Sequence, residues 1–522
     1  MFVRDFIRRG ADSFPEKIAY IDGDRSRNWL ELHERTDRLA SSLQKLGVKK
    51  GDCVAMMAHE HVEVLELMYA CAKIGAIRVG INWRYSSREK LHIIHDSDAK
   101  VVFLQSNTIA GLAEQLADLK KEGRQLVGFL GTHELQHDYE QLVAKGGTPQ
   151  HVSLQREDSF AYSYTTGTTG LPKGAIWTQG GVIESMVGMS LCMGLSYNDV
   201  YLMPAPMPGA PILFNMFGIL TGMKTVLIGG DFDPVRFWEL VQRHRVTQSL
   251  GVPTMIRRVL DTYKAGHYDA SSIRILSYGS APMPPALVKD VYNTLGCDLM
   301  QPYGSTEACG WVTFLRPEEH KRAMETGNYR LLESCGRASP FADVAIFRED
   351  GTRADIDEVG EVCVRADFTI KRYHNAPPEN NDLYFDDWMR TGDLGCKDSM
   401  GYFYLVDRKR FMIISGGYNV YPVVVENVLS EHPAVHEIAV FGAPHPEWGE
   451  AVIAIVVLKP GIIASPTELI DFTRPHLGKW EVPKHVEIVD ELPKGVTGKI
   501  TKVELRQKYK SNPELLPWYE KV

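Results

Sequence analysis

A chain of 522 residues is too long for one ordinary hydrophobic core, so two or more domains are expected. Hydrophobic residues make up 44% of the chain and charged residues 24%, which is typical of a globular protein rather than a disordered one. The net charge of −8 argues against general nucleic-acid binding, and eight cysteines without a CxxC pair indicate neither a zinc site nor a disulfide framework.

The amino-terminal segment MFVRDFIRRGADSFPEK carries charges in every window in which a signal peptide needs an apolar core. The apolar run VIAIVVL at 452–458 is far shorter than the ~18 to 20 residues of a membrane-spanning helix. We therefore expect a cytoplasmic protein with reduced thiols and no integral membrane segment. Peripheral contact with a membrane stays open.

The first part of the chain alternates predicted helices and strands. Helical spacing of apolar residues is present at 28–47, 61–75 and 86–100, and short apolar runs predict strands at 52–58, 76–81 and 101–105. Such alternation is typical of parallel sheets covered by helices on both faces. After about residue 410, shorter strands (436–442, 450–460, 485–490) are interleaved with helices (467–477, 502–509), which indicates a small α+β domain.

The segment YTTGTTGLPKG at 164–174 combines three glycines, four threonines and Lys173. A strand is predicted before it, at 159–164, and a helical pattern follows it, at 175–191. Strand, glycine-rich loop and helix would point backbone N–H groups at an anion, with hydroxyls and the lysine as further donors. The segment matches neither the Walker A nor the GxGxxG pattern. It predicts a phosphate-binding loop, and a flexible surface loop is the alternative.

Four further motifs follow. YGSTE at 303–307 could stack a base, contact phosphate and hold Mg²⁺, and WMRTGDLG at 388–395 offers Asp393 to the vicinal hydroxyls of a ribose. DRKRFMIISGGYNVYP at 407–422 has a Gly-Gly that permits close approach to the backbone, and LPKGVTGK at 492–499 ends in a loop lysine. Each motif alone also fits an ordinary turn, hairpin or solvated loop.

In this order and spacing, the motifs resemble the acyl-adenylate-forming superfamily of acyl-CoA synthetases, adenylation domains and luciferases. The resemblance extends from the GDCVAMM region, 51–57, to Lys499. It implies a large amino-terminal domain, residues 1–409, of helix-covered, mainly parallel sheets plus a distorted barrel. It also implies a small mobile α+β domain, residues 410–522, and the use of ATP, Mg²⁺ and coenzyme A.

The resemblance also implies roles for individual residues. Those expected at the β- and γ-phosphates are Thr165, Thr166, Gly167, Thr168, Thr169, Gly170 and Lys173. Those expected at the adenine are Gly279, Ser280, Ala281 and the stacking ring of Tyr303. Thr306 would contact phosphate, Glu307 would assist Mg²⁺, and Asp393 and Arg408 would contact the ribose. In the small domain, Arg410 would be the hinge, Gly417 would line the pantetheine tunnel, and Lys499 would be the mobile catalytic lysine.

The acyl pocket is expected along MPAPMPGAPILFNMF at 203–217, which contains no charged side chain. An ammonium-bearing substrate would need a carboxylate there, so the acid is expected to be fatty, alicyclic, aromatic or polycyclic. Predicted pocket residues are Gly209, Phe214, Gly251, Pro282 and Gly310. Where many relatives read Pro-Leu-Phe-His, this chain has Pro208 and Gly209, which favours a roomier entrance. Gln179 stands where the family commonly has histidine, a change expected to affect a helix start.

These residues favour an ATP- and Mg²⁺-dependent acyl-CoA ligase that works through an acyl adenylate. One alternative is an adenylating enzyme that loads an acyl carrier protein. Another is a catalytically silent sensor on the same fold, against which the joint presence of Glu307, Asp393, Arg408 and Lys499 argues. The expected partners are small molecules, with no nucleic acid, and a homodimer is left open.

Overall fold

A computed structural model describes residues 1–165, 171–376, 383–495 and 500–519, without the side chains of Arg408 and Arg410. The helices begin at recognisable caps: the side chains of Asn28, Ser86 and Ser465 each accept a hydrogen bond from a glutamate N–H three residues on. The helices are α1 (Val3–Ser13), α2 (Trp29–Lys45), α3 (Val62–Ile74), α4 (Ser87–Asp96), α5 (Leu116–Lys121), α6 (Tyr139–Lys145), α7 (Gln179–Cys192), α8 (Pro211–Asn215), α9 (Gly218–Thr221), α10 (Pro234–His244), α11 (Pro253–Ala265), α12 (Pro285–Leu295), α13 (Pro317–Thr326), α14 (Pro422–Ser430), α15 (Pro466–Thr473) and α16 (Lys502–Ser511).

A nine-stranded sheet has parallel central strands and antiparallel pairs at both edges. Its strands are β1 (Ile18–Asp22), β2 (Arg25–Asn28), β10 (Val200–Leu202), β11 (Lys224–Leu227), β12 (Gln248–Gly251), β13 (Ile275–Tyr278), β14 (Asp298–Ser305), β15 (Gly310–Leu315) and β16 (Arg337–Ala338). Their spatial order is β16-β15-β14-β13-β12-β10-β11-β1-β2.

A seven-stranded sheet contains the three buried strands predicted at 52–58, 76–81 and 101–105. It is formed by β3 (Cys53–Met57), β4 (Ile77–Ile81), β5 (Val101–Gln105), β6 (Gln125–Phe129), β7 (His137–Asp138), β8 (Ser159–Thr165) and β9 (Lys173–Thr178), in the order β7-β6-β5-β3-β4-β8-β9. Every pair is parallel except β8 with β9. All residues of β3, β4 and β5 are buried, as expected of parallel strands covered on both faces.

Two smaller sheets follow in the chain. One is antiparallel, with β17 (Asp343–Phe347), β18 (Gly360–Arg365), β19 (Tyr384–Phe385), β20 (Trp388–Lys397) and β21 (Phe403–Arg408). The other consists of β22 (Ile413–Ser415), β23 (Tyr418–Val420), β24 (Val435–His445), β25 (Gly449–Leu458) and β26 (His485–Ile488). The predicted fold class is therefore confirmed.

One helix joins the cores of the two large sheets. Every residue of α3 is buried, and its Tyr69 hydroxyl lies 2.6 Å from the hydroxyl of Tyr20 in β1. The acidic residues of this helix are paired: Glu66 contacts Arg27 at 3.0 Å and Arg35 at 2.8 Å. Because these buried carboxylates have partners, a helix with charged residues can lie between two apolar layers.

One expectation is wrong: the glycine-rich loop is not followed directly by a helix. It connects β8 to the antiparallel strand β9, and α7 begins only at Gln179. No helix N-terminus therefore follows the loop to bind an anion. The six-residue strand β9 has only three apolar residues in a row, at 175–177, which is too short a run to distinguish from a helix start by periodicity. None of the helices described is long and apolar enough to cross a bilayer.

Candidate functional site

The sheet topology brings the predicted motifs to one edge. Strands β10, β12, β13 and β14 are neighbours and mutually parallel, so their carboxyl ends share that edge. The segments that lie at or directly after these ends are 203–217, 251–254, 279–282 and 303–307. Ligands of open α/β sheets bind at such an edge. Periodicity alone does not indicate this grouping, because it requires the strand order.

Tyr303 and Asp393 meet although they are 90 residues apart. The Tyr303 hydroxyl donates a 2.8 Å hydrogen bond to Oδ2 of Asp393, and both side chains are buried. Burial, with the Asp393 charge, holds the pKa of Tyr303 well above its ordinary value, so the hydroxyl keeps its proton. In the backbone register of strands β20 and β21, Asp393 lies opposite Arg408. The residues predicted for adenine and ribose thus lie side by side.

Glu307 has a partner that the sequence reasoning missed. The hydroxyl of Tyr373 donates a 2.8 Å hydrogen bond to Oε1 of Glu307, and the Ile370 N–H bonds the Glu307 carbonyl at 2.8 Å. The Tyr373 ring lies 5.9 Å from Nζ of Lys173. One tyrosine therefore links the predicted metal carboxylate to the predicted phosphate lysine. Its segment, IKRYHN at 370–375, carries no pattern that would have identified it.

Several glycines of the site allow backbones to approach closely. A Cβ on Gly304 would lie 2.0 Å from the Gly310 carbonyl oxygen, which closes the turn around Thr306 and Glu307. The indole N–H of Trp177 donates a 2.8 Å hydrogen bond to the carbonyl of Thr306. The hydroxyl-bearing turn is therefore fixed from β9 on one side and β15 on the other.

The predicted adenine segment follows β13. A Cβ on Gly279 would lie 2.8 Å from the Pro302 carbonyl oxygen, and Ser280 is exposed with φ of 66°. Ala281 is half-buried.

A buried histidine lies next to the end of β13. The Tyr278 hydroxyl is 2.8 Å from Nε2 of the buried His320, whose Nδ1 is 2.9 Å from the Arg316 carbonyl oxygen. Since Nδ1 must donate to that carbonyl, Nε2 accepts from Tyr278.

Two of the predicted groups lie wholly or partly outside the described residues. The first group is the predicted phosphate loop, of which five residues lie outside the description: Thr166, Gly167, Thr168, Thr169 and Gly170. Its described members Thr165 and Lys173 are register partners on β8 and β9. Lys499 is the other. Its flanks are anchored by a β-bridge between Lys494 and Ile500 and by a 2.7 Å ion pair between Lys502 and Glu426.

The predicted acyl segment contributes to a buried aromatic stack. Phe214 stacks on Trp311 with ring centroids 4.0 Å apart, and Met189 of α7 lies behind them, with Sδ 3.4 Å from the Trp311 nitrogen. A Cβ on Gly209 would meet only Pro211, at 3.9 Å. Gly251 faces Ile256, Gly310 faces Met189 and Ser185, and Pro282 is exposed.

The small sheet carries an exposed aromatic face next to Gly417. Gly417 has φ of 85°, and nothing lies within 4 Å of its Cβ position. Tyr418 stacks on Trp480 at 4.7 Å, and Nζ of Lys484 lies 5.1 Å from the Trp448 ring. Arg410 lies in the 3₁₀ turn Lys409–Phe411, which connects β21 to β22.

The donor set around Glu307 fits a magnesium ion. Mg²⁺ is usually held by one or two carboxylates together with phosphate oxygens and water. Glu307 is half-buried, and its orientation is fixed by the Tyr373 hydrogen bond at Oε1. Thr306 and Lys173 place a hydroxyl and an ammonium in the neighbouring segments. The residues are thus suited to a hard cation bound between a carboxylate and phosphates.

Comparison with known proteins identifies the family. The model of the AMP-binding enzyme matches residues 7–374, and the model of the AMP-binding enzyme C-terminal domain matches residues 424–499. The chain belongs to the AMP-binding enzyme family. The first match contains the Tyr303 and Glu307 motif, and the second ends at Lys499.

This AMP-binding enzyme is similar over nearly its whole length to several ligases. It is 33% identical over 506 residues to a long-chain-fatty-acid–CoA ligase of Mycobacterium tuberculosis, covering 96% of this chain and 97% of the relative. It is 30% identical to a fatty acid–[acyl-carrier-protein] ligase of Streptomyces coeruleorubidus, covering 95% and 94%. The o-succinylbenzoate CoA synthetase of Bacillus subtilis, solved with its acyl-adenylate intermediate, superposes with a TM-score of 0.82 at 29% identity, covering 97% of both chains.

These findings confirm the resemblance to the acyl-adenylate-forming superfamily. They also confirm the predicted enzyme class, an AMP-forming acid–thiol ligase, with ATP, Mg²⁺ and CoA as the small molecules that the family uses. The roles predicted for individual residues remain predictions.

Proposed function

We propose that this protein is an ATP- and Mg²⁺-dependent acyl-CoA ligase that converts an apolar carboxylic acid into its CoA thioester, with AMP and diphosphate as the other products. The observation that carries the proposal is the buried hydrogen bond between Tyr303 and Asp393. It joins an aromatic ring suited to a purine with a carboxylate suited to ribose hydroxyls. Nucleotides bind at this edge of open α/β sheets, so the position of the pair supports a nucleoside site.

The chemistry explains the surrounding charges. A carboxylate is a poor acyl donor because oxide would have to leave, so its oxygen first attacks the α-phosphorus of ATP and diphosphate departs. Both reactants are anions, and the site must supply positive charge and donors. Lys173 and Thr165 would hold the departing diphosphate, and Lys499 would bridge the acid and the α-phosphate. When bound at Glu307, Mg²⁺ supplies neutralisation of phosphate charge.

A thiol then attacks the carbonyl carbon of the mixed anhydride, and AMP leaves. This step needs space that Lys499 would occupy in the first step, so we propose that residues 410–522 rotate against residues 1–409 about Arg410. The location of Arg410 in a short turn between two sheets supports this hinge. The preceding Lys409 forms an exposed ion pair with Glu349 of the large domain at 3.2 Å.

The exposed aromatic face supports CoA as the thiol. Tyr418, Trp480 and Trp448 offer flat surfaces for a purine, and Lys484 offers a charge for phosphate. Gly417 leaves open space beside them for the pantetheine arm. The uncharged segment 203–217 and the Phe214–Trp311 stack support a fatty, alicyclic, aromatic or polycyclic acid. Cytoplasmic location and a homodimer remain proposals.

The test is a panel of fatty, alicyclic and aromatic acids, incubated with ATP and Mg²⁺ and assayed for AMP and for the acyl product. Each acid is given CoA, a phosphopantetheinyl carrier protein, or no thiol. We expect AMP and an acyl-CoA with CoA, and loss of both in Asp393→Ala. Asp118→Ala removes an exposed carboxylate paired only locally with Lys121 and serves as the matched control. AMP formation from none of the acids would refute the proposal.

A second candidate is the loading of an acyl carrier protein. The observation in its favour is the 30% identity to the carrier-protein ligase. In the same panel it predicts acylated carrier at rates far above those of acyl-CoA. A silent sensor predicts nucleotide binding without AMP formation.

A further inference from the structure

A buried arginine contacts the turn at the start of the acyl segment. Arg78, the second residue of β4, is 2% exposed. Its Nη1 donates to the carbonyl of Pro208 at 3.1 Å, and its Nη2 donates to that of Met207 at 3.3 Å. No described carboxylate forms an ion pair with it. Burial lowers the pKa of Arg78 to about 10, so it remains charged at neutral pH. A buried cation is therefore directed at the backbone of one turn.

Gly80, two residues on in the same strand, touches the same turn. A Cβ at this position would lie 2.3 Å from the Pro208 carbonyl oxygen and 2.7 Å from the Pro208 Cα. These two contacts are backbone atoms, which cannot move aside as a flexible side chain can. The same Cβ would also lie 2.5 Å from Nη1 of Arg78, so an alanine here would press on the guanidinium as well as on the turn. The turn therefore packs directly on the main chain of β4, and even an alanine would displace it.

Glu60 approaches the turn from the end of β3. It is 4% exposed, its Oε1 has no hydrogen-bond partner among the described residues, and the N–H of Met207 helps to stabilise its charged form. Burial raises the pKa of Glu60 to about 7. Glu60 is thus a second buried ionisable group beside Met207, whose carbonyl accepts a hydrogen bond from Arg78.

The turn needs such support because it has little structure of its own. Residues 203–210 form neither helix nor strand between β10 and α8, and prolines at 204, 206 and 208 have no N–H to donate. The turn leads directly into α8, which carries Phe214 against Trp311. It also presents Gly209, beside which there is open space. A shift of the turn would change both the position of the Phe214–Trp311 stack and the open space beside Gly209.

We propose that Arg78, supported by Gly80 and Glu60, is a positioning residue that holds the Met207–Gly209 turn and thereby sets the width of the acyl entrance and the acid selectivity of the enzyme. The inference rests on the proposed function, because it takes the segment 203–217 as the wall of the acyl pocket. It assigns Arg78 no contact with substrate. The guanidinium of Arg78 matters because an apolar side chain in its place would leave the buried carbonyls of Met207 and Pro208 without these donors.

The experiment compares Arg78→Met, Arg78→Lys and Gly80→Ala with wild type. Arg124→Met is the matched control, because Arg124 is also a largely buried arginine that donates to a backbone carbonyl, that of Ala99 at 2.6 Å, in the same sheet layer. Two readouts are used. One is kcat and KM for a short linear acid and a ring-bearing acid, and KM for ATP. The other is hydrogen exchange of the peptide 203–217.

Arg78→Met is expected to lower kcat/KM for the acids by roughly 10- to 100-fold, mostly through KM, as the loss of two charge-assisted hydrogen bonds implies. KM for ATP should change by less than about threefold, because the variant disturbs the acyl turn alone. Uniform damage to the fold would instead change KM for both substrates. The ratio between the two acids should change, and amide exchange in 203–217 should accelerate. Arg78→Lys should recover part of the loss. Gly80→Ala should show the same selectivity change with the charge intact.

Equal effects on acids and ATP, or an unchanged acid ratio in both Arg78→Lys and Gly80→Ala, would overturn the inference. The same holds if Arg124→Met reproduces the effect. If Arg78→Met does not fold, the other two variants decide. If wild type activates no acid, the proposed function fails, and hydrogen exchange still decides whether Arg78 holds the turn: unchanged exchange in Arg78→Lys and Gly80→Ala refutes it.

Discussion

Tyr373→Phe offers the sharpest test of the metal site. It removes one hydroxyl, which donates a 2.8 Å hydrogen bond to Oε1 of Glu307, and keeps the ring near Lys173. A hydrogen bond to a charged acceptor contributes about 1.5 to 3 kcal/mol. Because Glu307 is half-buried and water can replace the hydroxyl in part, we take the lower end. A loss of ~1.5 kcal/mol corresponds to about a tenfold change in an equilibrium constant.

The assay is AMP formation at saturating acid and CoA while free Mg²⁺ is titrated. Because residues that orient a metal ligand commonly change metal affinity by about 10- to 100-fold, the midpoint for Mg²⁺ should rise about tenfold with a smaller change in kcat. Tyr384→Phe is the matched control, since its hydroxyl bonds the carbonyl of Ile370 at 2.7 Å in the same region.

A double variant sharpens the result. If Tyr373 acts through Glu307, its substitution in a Glu307→Gln background should cost far less than in wild type, as coupled residues are not additive. An unchanged Mg²⁺ midpoint in Tyr373→Phe, or the same shift in Tyr384→Phe, would refute the reasoning.

Four other predictions follow from the same site. Lys499→Ala should slow adenylate formation on the order of 10²- to 10³-fold but leave conversion of supplied acyl-AMP largely intact, and equal loss in both half-reactions would remove its assignment. Arg410→Pro fixes φ and should reduce thioester formation far more than adenylation; an unchanged overall rate excludes a hinge at this residue. Gly209→Trp should penalise a ring-bearing acid more than a short linear one in kcat/KM, by more than the ~1 to 3 kcal/mol of a methylene or two, and an equal fall would show that Gly209 does not face the pocket. Burial lowers the pKa of His320 to about 4, so the neutral ring stabilises the fold fully above the ordinary pKa near 6.5 and progressively less as pH falls towards 4. The difference in Tm between wild type and His320→Gln should therefore narrow from pH 7 to pH 4.5. A difference in Tm that stays constant over this range would contradict the prediction.

Local structure could largely be read from the sequence. Helix α2 and strands β3 to β5 are where helical spacing and short apolar runs predicted them, because burial on one or both faces selects those periods. The exception is β9, for which the apolar pattern at 175–191 predicts the start of a helix. Pairing with β8 decides its conformation, and a pairing partner across a loop leaves no mark on local periodicity.

The candidate site likewise has one part that the sequence predicts and one part that only the tertiary structure decides. The order and spacing of the motifs indicate nucleotide chemistry and an acyl segment through the family resemblance that they carry, and the composition of that segment shows that it is uncharged. Only the tertiary structure decided that Tyr303 bonds Asp393, that Tyr373 orients Glu307 and that Arg78 supports Pro208. Each of these contacts joins residues 66 to 130 positions apart. They depend on which strands are neighbours and on which loops share a sheet edge, and that order is set by the packing of the whole core rather than by any stretch of sequence.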